Sequence, residues 1–277
     1  MNYNTEKGSK VAIVTGATGA IGKAITRQIA GLDSYNVVLV GRDEDKTRRA
    51  MKDIIAATGN QKIRCEQATL SSQASIRALA ERWDGSLDVL INNAAAAPRK
   101  RQETPEGIEL WFATNVLGYF WMTQFFSEVL KRPAPSRVVN VASTYAGDLD
   151  LNDLEFKRRR YNIHTAYRQS KQANRMLTVA FAERLKPFGI SVNVCHPGVV
   201  PSKLSRDMGA HGSDTLDEGA RMPVWLATSP LERQETGKFF SDMNVSVCRP
   251  LSIRSLDATF SEDEQAIERL YIICTSY

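Results

Sequence analysis

The chain has 277 residues, 43% hydrophobic and 24% charged, with 36 Lys+Arg against 31 Asp+Glu and a formal net charge of +5. That apolar content supplies a large core and excludes a chain disordered throughout. The positive balance is modest and its clusters are scattered, which is no nucleic-acid signature. No apolar run reaches the ~18 residues a transmembrane helix needs. Residues 1–10 read as a polar tail without an export signal. Cys65, Cys195, Cys248 and Cys274 lie too far apart for a zinc or disulfide framework. These features predict a cytoplasmic protein with reduced thiols.

Short apolar runs suited to strands occur at residues 11–15, 37–40, 63–66, 87–91, 138–141, 190–195 and 237–240. Helical spacing separates them at 23–30, 43–57, 73–83, 107–131, 165–186 and 216–227, with Pro187 stopping the fifth helix. Strands alternating with helices imply βαβ units and a parallel sheet covered on both faces. The near-continuous apolar runs VVLV and DVLI suit strands buried on both sides. The pattern predicts one doubly wound α/β domain over 1–277, with about seven parallel strands and no internal boundary.

Between the first strand and the first helix lies Thr15-Gly16-Ala17-Thr18-Gly19-Ala20-Ile21-Gly22. Glycines let the backbone turn sharply and approach a pyrophosphate, which the amides at the helix start then hold. Loops without ligands use glycine too, but a turn that follows a buried strand and opens a helix points to a dinucleotide. At the end of the second strand an acid would bind the ribose 2′-hydroxyl of NAD, and an arginine the 2′-phosphate of NADP. Gly41 stands where the acid is expected and Arg42 follows, which favours NADP(H). Asp43 reads as the cap of the next helix.

Tyr167 and Lys171 stand four apart on a predicted helix, so their side chains share one face. An ammonium there lowers the phenol pKa, and a phenol so tuned gives a proton to a carbonyl oxygen or takes one from an alcohol. Such a pair arises easily by chance and needs company.

It has company in Thr15 to Gly22, Asn92-Asn93-Ala94, Asn115, Asn140-Val141-Ala142-Ser143, Tyr167 to Lys171 and Pro197-Gly198, in this order along essentially the whole chain. In these stretches the sequence resembles the short-chain dehydrogenase/reductases, whose fold is Rossmann-type. LDVLINNAA, FATNVLGYF, AYRQSKQAN, CHPGVV, the WLATSP and GKFFSD segments and the long separation of Ser143 from Tyr167 are similar to its retinol-dehydrogenase-like branch.

The resemblance implies roles. Tyr167 would be the general acid/base, Lys171 would lower its pKa and bind the nicotinamide ribose, and Ser143 would hold the substrate oxygen. Asn115 would keep a water in a proton relay to Lys171. Gly16, Thr18, Gly19, Ala20, Ile21 and Gly22 would line the pyrophosphate turn and Arg42 the adenosine phosphate. Thr69, Leu70, Asn93 and Ala94 would approach the adenosine side. Pro197, Gly198, Val200 and Ser202 would face the nicotinamide, Ser202 bonding its carboxamide. The chain departs from the family pattern at Ala20 and Ala95, where glycines are usual, and at Thr69, where an aspartate is usual. These affect cofactor affinity and not the chemical step. No histidine has metal-ligand spacing and no metal is expected; His196 reads as a packed loop histidine.

The segments 144–166 and 199–221 should shape the substrate site, with 199–222 acting as a mobile lid. Residues 157–160, Lys-Arg-Arg-Arg, read as a solvated loop, with attraction of an acidic substrate or anionic membrane as the sharper alternative. Many retinol dehydrogenases carry a hydrophobic N-terminal anchor that this sequence lacks, which favours a soluble enzyme and weighs against retinoid itself. The expected function is an NADP(H)-dependent interconversion of a carbonyl and an alcohol (EC 1.1.1.-), run as a reductase on a lipophilic or secondary-metabolite carbonyl. The rivals are an NAD-dependent alcohol dehydrogenase and a catalytically silent NADP-binding or scaffold protein. The partner is a small-molecule substrate and not a nucleic acid, and a homodimer or homotetramer fits the family.

Overall fold

Val11, Ala12, Ile13 and Val14 are all buried, and in the computed structural model they lie in the middle of the sheet that organises the chain. The structure describes residues 9–209, 211–230, 235–241, 251–252 and 264–277. Residues 1–8 of the expected tail, Ala210 of the expected lid and Cys248 fall outside these residues.

The strands are β1 (Lys10–Thr15), β2 (Tyr35–Gly41), β3 (Ile63–Gln67), β4 (Val89–Asn92), β5 (Ser136–Val141), β6 (Ile190–Cys195), β7 (Lys238–Phe240) and β8 (Leu251–Ser252). They pair in the order β3-β2-β1-β4-β5-β6-β7-β8. All neighbours run parallel except β7 and β8, which are antiparallel. All seven predicted strands are present. β8 is too short, at two residues, to show a period in sequence.

The helices are α1 (Ala20–Ala30), α2 (Glu44–Thr58), α3 (Gln73–Glu81), α4 (Gly118–Lys131), α5 (Ile163–Leu185), α6 (Lys203–Asp207), α7 (Leu216–Thr228) and α8 (Glu264–Thr275). Helices α1, α2 and α7 cover one face of the sheet, and α3, α4, α5 and α8 the other. The strand order reverses between β1 and β4, so the crevice of this topology opens at their carboxyl ends.

Two elements differ from expectation. The helix predicted over 107–131 starts later, because Gly107 sits at φ +80° in a turn whose amide bonds the Thr104 carbonyl. Its first full turns are a π-helix, Phe112–Leu117, which runs directly into α4. Helix α8 has no counterpart in the predicted elements, although Ile267, Leu270 and Cys274 form a buried i, i+3, i+7 stripe.

A buried polar network ties the site-bearing helices to the sheet. Asn92 donates to Asn140 Oδ1 at 3.0 Å and to Thr123 Oγ1 at 3.2 Å, and Asn140 donates to Thr178 Oγ1 at 2.8 Å. Every member gains a partner, so the network fixes α4 and α5 against β4 and β5 without leaving buried donors unmet.

Candidate active site

The turn after β1 is built on backbone proximity. Gly16 has φ +64°, and a Cβ there would meet Ala94 Cα at 2.7 Å. A Cβ on Gly22 would come within 2.2 Å of the Gly16 carbonyl oxygen and 2.6 Å of Asn93 Nδ2. Thr15 Oγ1 accepts the amide of Asn93 at 2.9 Å, and Asn93 Nδ2 donates to the Thr15 carbonyl at 3.0 Å. Ala20 needs no glycine conformation, because α1 already begins there rather than at residue 23. Ala95 likewise stays out of the positive-φ region.

The start of α1 has no side-chain cap, its N-cap residue being Gly19. By contrast, Asp43, Ser72, Asn162, Ser202 and Thr215 cap α2, α3, α5, α6 and α7 through their side chains. The amides of the first turn of α1 therefore point at a glycine cradle with no side chain of their own to satisfy them. That arrangement suits a pyrophosphate.

At the end of β2 a Cβ on Gly41 would meet Thr47 Oγ1 at 2.4 Å and Thr18 Cγ2 at 3.7 Å. An acidic side chain has no room there, and Arg42 stands exposed beside the gap. Thr69 is exposed and Leu70 buried at the end of β3.

A cavity of about 360 Å³ opens at the carboxyl ends of the strands. Ile21, Asn93, Ser143, Tyr167, Lys171, Pro197, Gly198, Val200 and Ser202 line it, which unites the proton-transfer candidates with the nicotinamide candidates. Gly16, Thr18, Gly19, Ala20, Gly22, Arg42, Thr69, Leu70 and Ala94 lie off its wall.

Ser143 follows β5 and accepts the amide of Tyr145 at 3.0 Å. Its side chain shares the cavity wall with Tyr167. Burial pushes the Tyr167 phenol above its usual value, while the Ser143 hydroxyl and the Arg175 charge pull it down. Lys171 does not reach the phenol. Its ammonium donates to the Val141 carbonyl at 3.0 Å and lies 5.8 Å from the Tyr167 ring centroid. Burial lowers it to about 8. The expected ammonium–phenol coupling is therefore outweighed in this structure by desolvation of both groups.

Asn115 is fully buried in the π-helix and does not line the cavity. Its amide clasps Ala96, accepting from the backbone amide at 2.8 Å and donating to the carbonyl at 3.2 Å. It thereby holds the loop after β4. Ser202 caps α6 in a reciprocal pair with Ser205, so its hydroxyl is engaged within the segment that was expected to reach the carboxamide.

The wall also contains Tyr145, which no motif marks, and His196, expected as a packed loop histidine. Tyr145 is 48% exposed and stacks on Tyr167 with centroids 6.1 Å apart. His196 lines the cavity, and burial together with the Arg175 charge drops it to about 4, so it stays neutral at physiological pH. Leu204 and Met208 of the expected lid complete the apolar side. That segment is clasped at its base, where Asp214 accepts the Val199 amide and Gly212 packs against Pro201.

The basic run at 157–160 is largely consumed locally. The Asp153 carboxylate gathers the amides of Lys157, Arg158 and Arg159, Lys157 pairs with Glu155, and Arg159 pairs with Asp153 and Asp150. Beneath it, Glu155 accepts the Glu109 amide at 3.0 Å and the Tyr277 hydroxyl at 2.7 Å. Burial lifts the Glu109 carboxyl to about 7. Among the described residues no cluster could hold a metal ion, and no helix is long and apolar enough to cross a membrane.

The short chain dehydrogenase family profile matches residues 10–212. Retinol dehydrogenase 13 of Mus musculus is 33% identical over 95% of this chain and 81% of its own length. A crystal structure from Mycobacterium paratuberculosis superposes with a TM-score of 0.76 at 27% identity, covering 96% of this chain and 93% of the other. The Pseudomonas aeruginosa RhlG/NADP active-site complex superposes at 0.67 and 25% identity, covering 83% and 93%.

Proposed function

The chain belongs to the short-chain dehydrogenase family of oxidoreductases, and from that premise we propose that it reduces a lipophilic carbonyl to an alcohol with NADPH. The observation that carries this reading is the meeting of Ser143, Tyr167 and Lys171 on one cavity wall, facing Pro197 and Gly198. Bound in the cradle at 16–22 and along that wall, NADPH would supply the hydride to the carbonyl carbon. The protein's part is the oxygen. The Ser143 hydroxyl holds it and stabilises the charge that develops there, and the Tyr167 hydroxyl gives it a proton. Lys171 places a positive charge on the same helix face one turn away.

Three further features support the choice of cofactor and substrate. Thr47 fills the space an acid would need at position 41, and Arg42 is free to meet a 2′-phosphate. One of the similar structures is an NADP complex. The cavity is walled by Tyr145, Val199, Val200, Leu204 and Met208, which suits an apolar ligand body around one polar centre.

The test is NADPH oxidation against a panel of aldehydes, ketones and quinones, with NADH in parallel. The proposal expects turnover with NADPH well above NADH. It also expects Arg42→Ala to weaken NADPH roughly tenfold, the worth of one charged contact, with NADH unchanged. Equal use of NADH would refute the cofactor assignment. Tight NADPH binding without turnover of any carbonyl would refute the reductase and leave a silent binding protein.

A further inference from the structure

Residues 167, 171 and 175 recur every four along α5, so Arg175 lies on the same helix face as Tyr167 and Lys171, one turn beyond the lysine. Its side chain is only 3% exposed. One guanidinium nitrogen donates to the carbonyl oxygen of Ser143, and the guanidinium carbon lies 4.3 Å over the Phe239 ring on β7. The planar cation is thus held on two sides, by a backbone carbonyl at the end of β5 and by an aromatic face. Lys171, the other buried cation, spends its ammonium on the Val141 carbonyl two residues earlier on the same strand. The two cations therefore brace the end of β5 at alternate residues, on either side of Ala142.

We propose that Arg175 is a positioning residue for proton transfer: it pins the backbone of Ser143, and with it the hydroxyl that shares the cavity wall with Tyr167, and it sets a permanent positive charge two turns along α5 from the phenol. A phenol that gives up its proton becomes an anion in a dry pocket, and a nearby fixed cation lowers the cost of that anion. Of the other groups facing this spot, Lys171 alone adds a positive charge, and it titrates near 8, whereas the guanidinium stays charged throughout. His196 is held neutral by burial and the Arg175 charge. Cys195 is pushed far up by burial and stays a neutral thiol. Tyr119, fully buried, is likewise held neutral by burial and donates to the Val141 carbonyl at 3.3 Å. Lys171 has its ammonium on the Val141 carbonyl, 5.8 Å from the Tyr167 ring centroid. Asp214 lies beyond His196 with its carboxylate on the Val199 amide, and Tyr145 and His164 contribute ring faces at the cavity mouth. The direction of the Arg175 effect on the phenol agrees with this arrangement.

The test rests on the reductase reading and is run only once the wild-type chain has shown turnover, so silence of the wild type counts against that reading and not against Arg175. Two variants separate its tasks. Arg175→Gln keeps a donor for the Ser143 carbonyl but removes the charge, and Arg175→Lys keeps the charge with a smaller donor. The glutamine variant should lose ~10- to 100-fold in kcat, the scale of a misplaced reacting group. Its NADPH affinity should hold, and the midpoint of its kcat/KM pH profile should move upward. The lysine variant should recover part of kcat and return the midpoint to the wild-type position. An independent readout is the ultraviolet titration of the Tyr167 phenol, taken as the difference between each variant and its Tyr167→Phe partner. It should shift upward in the glutamine variant alone. A glutamine variant with wild-type kcat and midpoint would overturn the proposal. So would a fall in kcat matched by an equal loss of NADPH binding with the midpoint unmoved, which is the mark of a merely structural residue. Should the glutamine variant not fold, full wild-type kcat in the lysine variant would overturn the positioning role, and reduced kcat at an unshifted midpoint would support it.

Discussion

The cofactor side and the substrate side of the cavity are held together in different ways. On the cofactor side the backbone comes close to itself, Gly16 to Ala94 and Gly22 to Gly16, while the Thr15 and Asn93 side chains each bond the other's backbone. On the substrate side they are side chains reaching across long separations. Asp153 gathers three amides, Arg99 pairs with Asp207 at 2.9 Å, and Tyr277 reaches Glu155 across 122 residues. The first joins two short stretches, 15–22 and 93–94, so closely that an added methyl has nowhere to go. The second is a set of distant partners in which many residue types would fit. Between them sit the partly buried Tyr167 and the buried Lys171 and Arg175, where the proposed chemistry would set burial of charge against stability.

The largest effect should come from that middle group. Lys171→Met is expected to lower kcat about 10²- to 10³-fold, the scale of losing one preorganised charge beside the reacting group. It should also stabilise the fold at pH 7. A lysine held at about 8 stays charged in a dry site below that pH, where its burial penalty is complete. The penalty fades as pH rises from about 8 towards the ordinary lysine value, because the unfolded chain keeps its proton longer. The gain, up to about 3 kcal/mol by linkage, should therefore be seen in thermal unfolding at pH 7 and vanish by high pH. A variant less stable than wild type at pH 7 would break the contrast between costly chemistry and stable frame.

Gly22→Ala addresses the cofactor side. The new methyl would stand 2.2 Å from a carbonyl oxygen and must push the turn open. The expected result is NADPH binding weaker by roughly 100-fold with a stability loss of about 1–3 kcal/mol. Binding by fluorescence and unfolding by denaturant would measure both. Unchanged binding would show that the turn tolerates expansion and that close backbone approach is not what holds the cofactor.

Glu109→Gln sharpens the substrate side and carries the smallest effect. The Glu109 carboxyl, lifted by burial to about 7, costs nothing below the ordinary glutamate value, progressively more from there up to about 7, and its full penalty above that. Removing its charge should raise stability by roughly 1–3 kcal/mol at pH 8 and by nothing near pH 4. A pH-independent change would show that the carboxylate is satisfied in its charged form.

This difference also explains what the sequence makes legible. Strands 11–15 and 37–40 are runs of buried apolar residues, and the turn at 15–22 follows from a helix that begins where glycines end. Asn115 is visible as a family position, yet its clasp on Ala96 depends on a π-helix that no residue pattern announces. Tyr145 escapes because a single aromatic side chain in a loop carries no period, and for the same reason His196 is legible as a packed loop histidine but not as part of the cavity wall. Arg175 does carry one, at i+4 from Lys171. An arginine on a helix reads as solvated until the fold buries it against β5 and β7. Helix α8 had a buried stripe of its own but follows a long stretch without strand or helix spacing.

The account's central claim is that Tyr167 delivers the proton. The most direct test is Tyr167→Phe, with turnover and NADPH affinity measured on the same preparation. Turnover falling to background while NADPH binds nearly as in wild type is the predicted result. A phenylalanine variant that keeps full turnover would contradict it, and would place the acid elsewhere on the cavity wall.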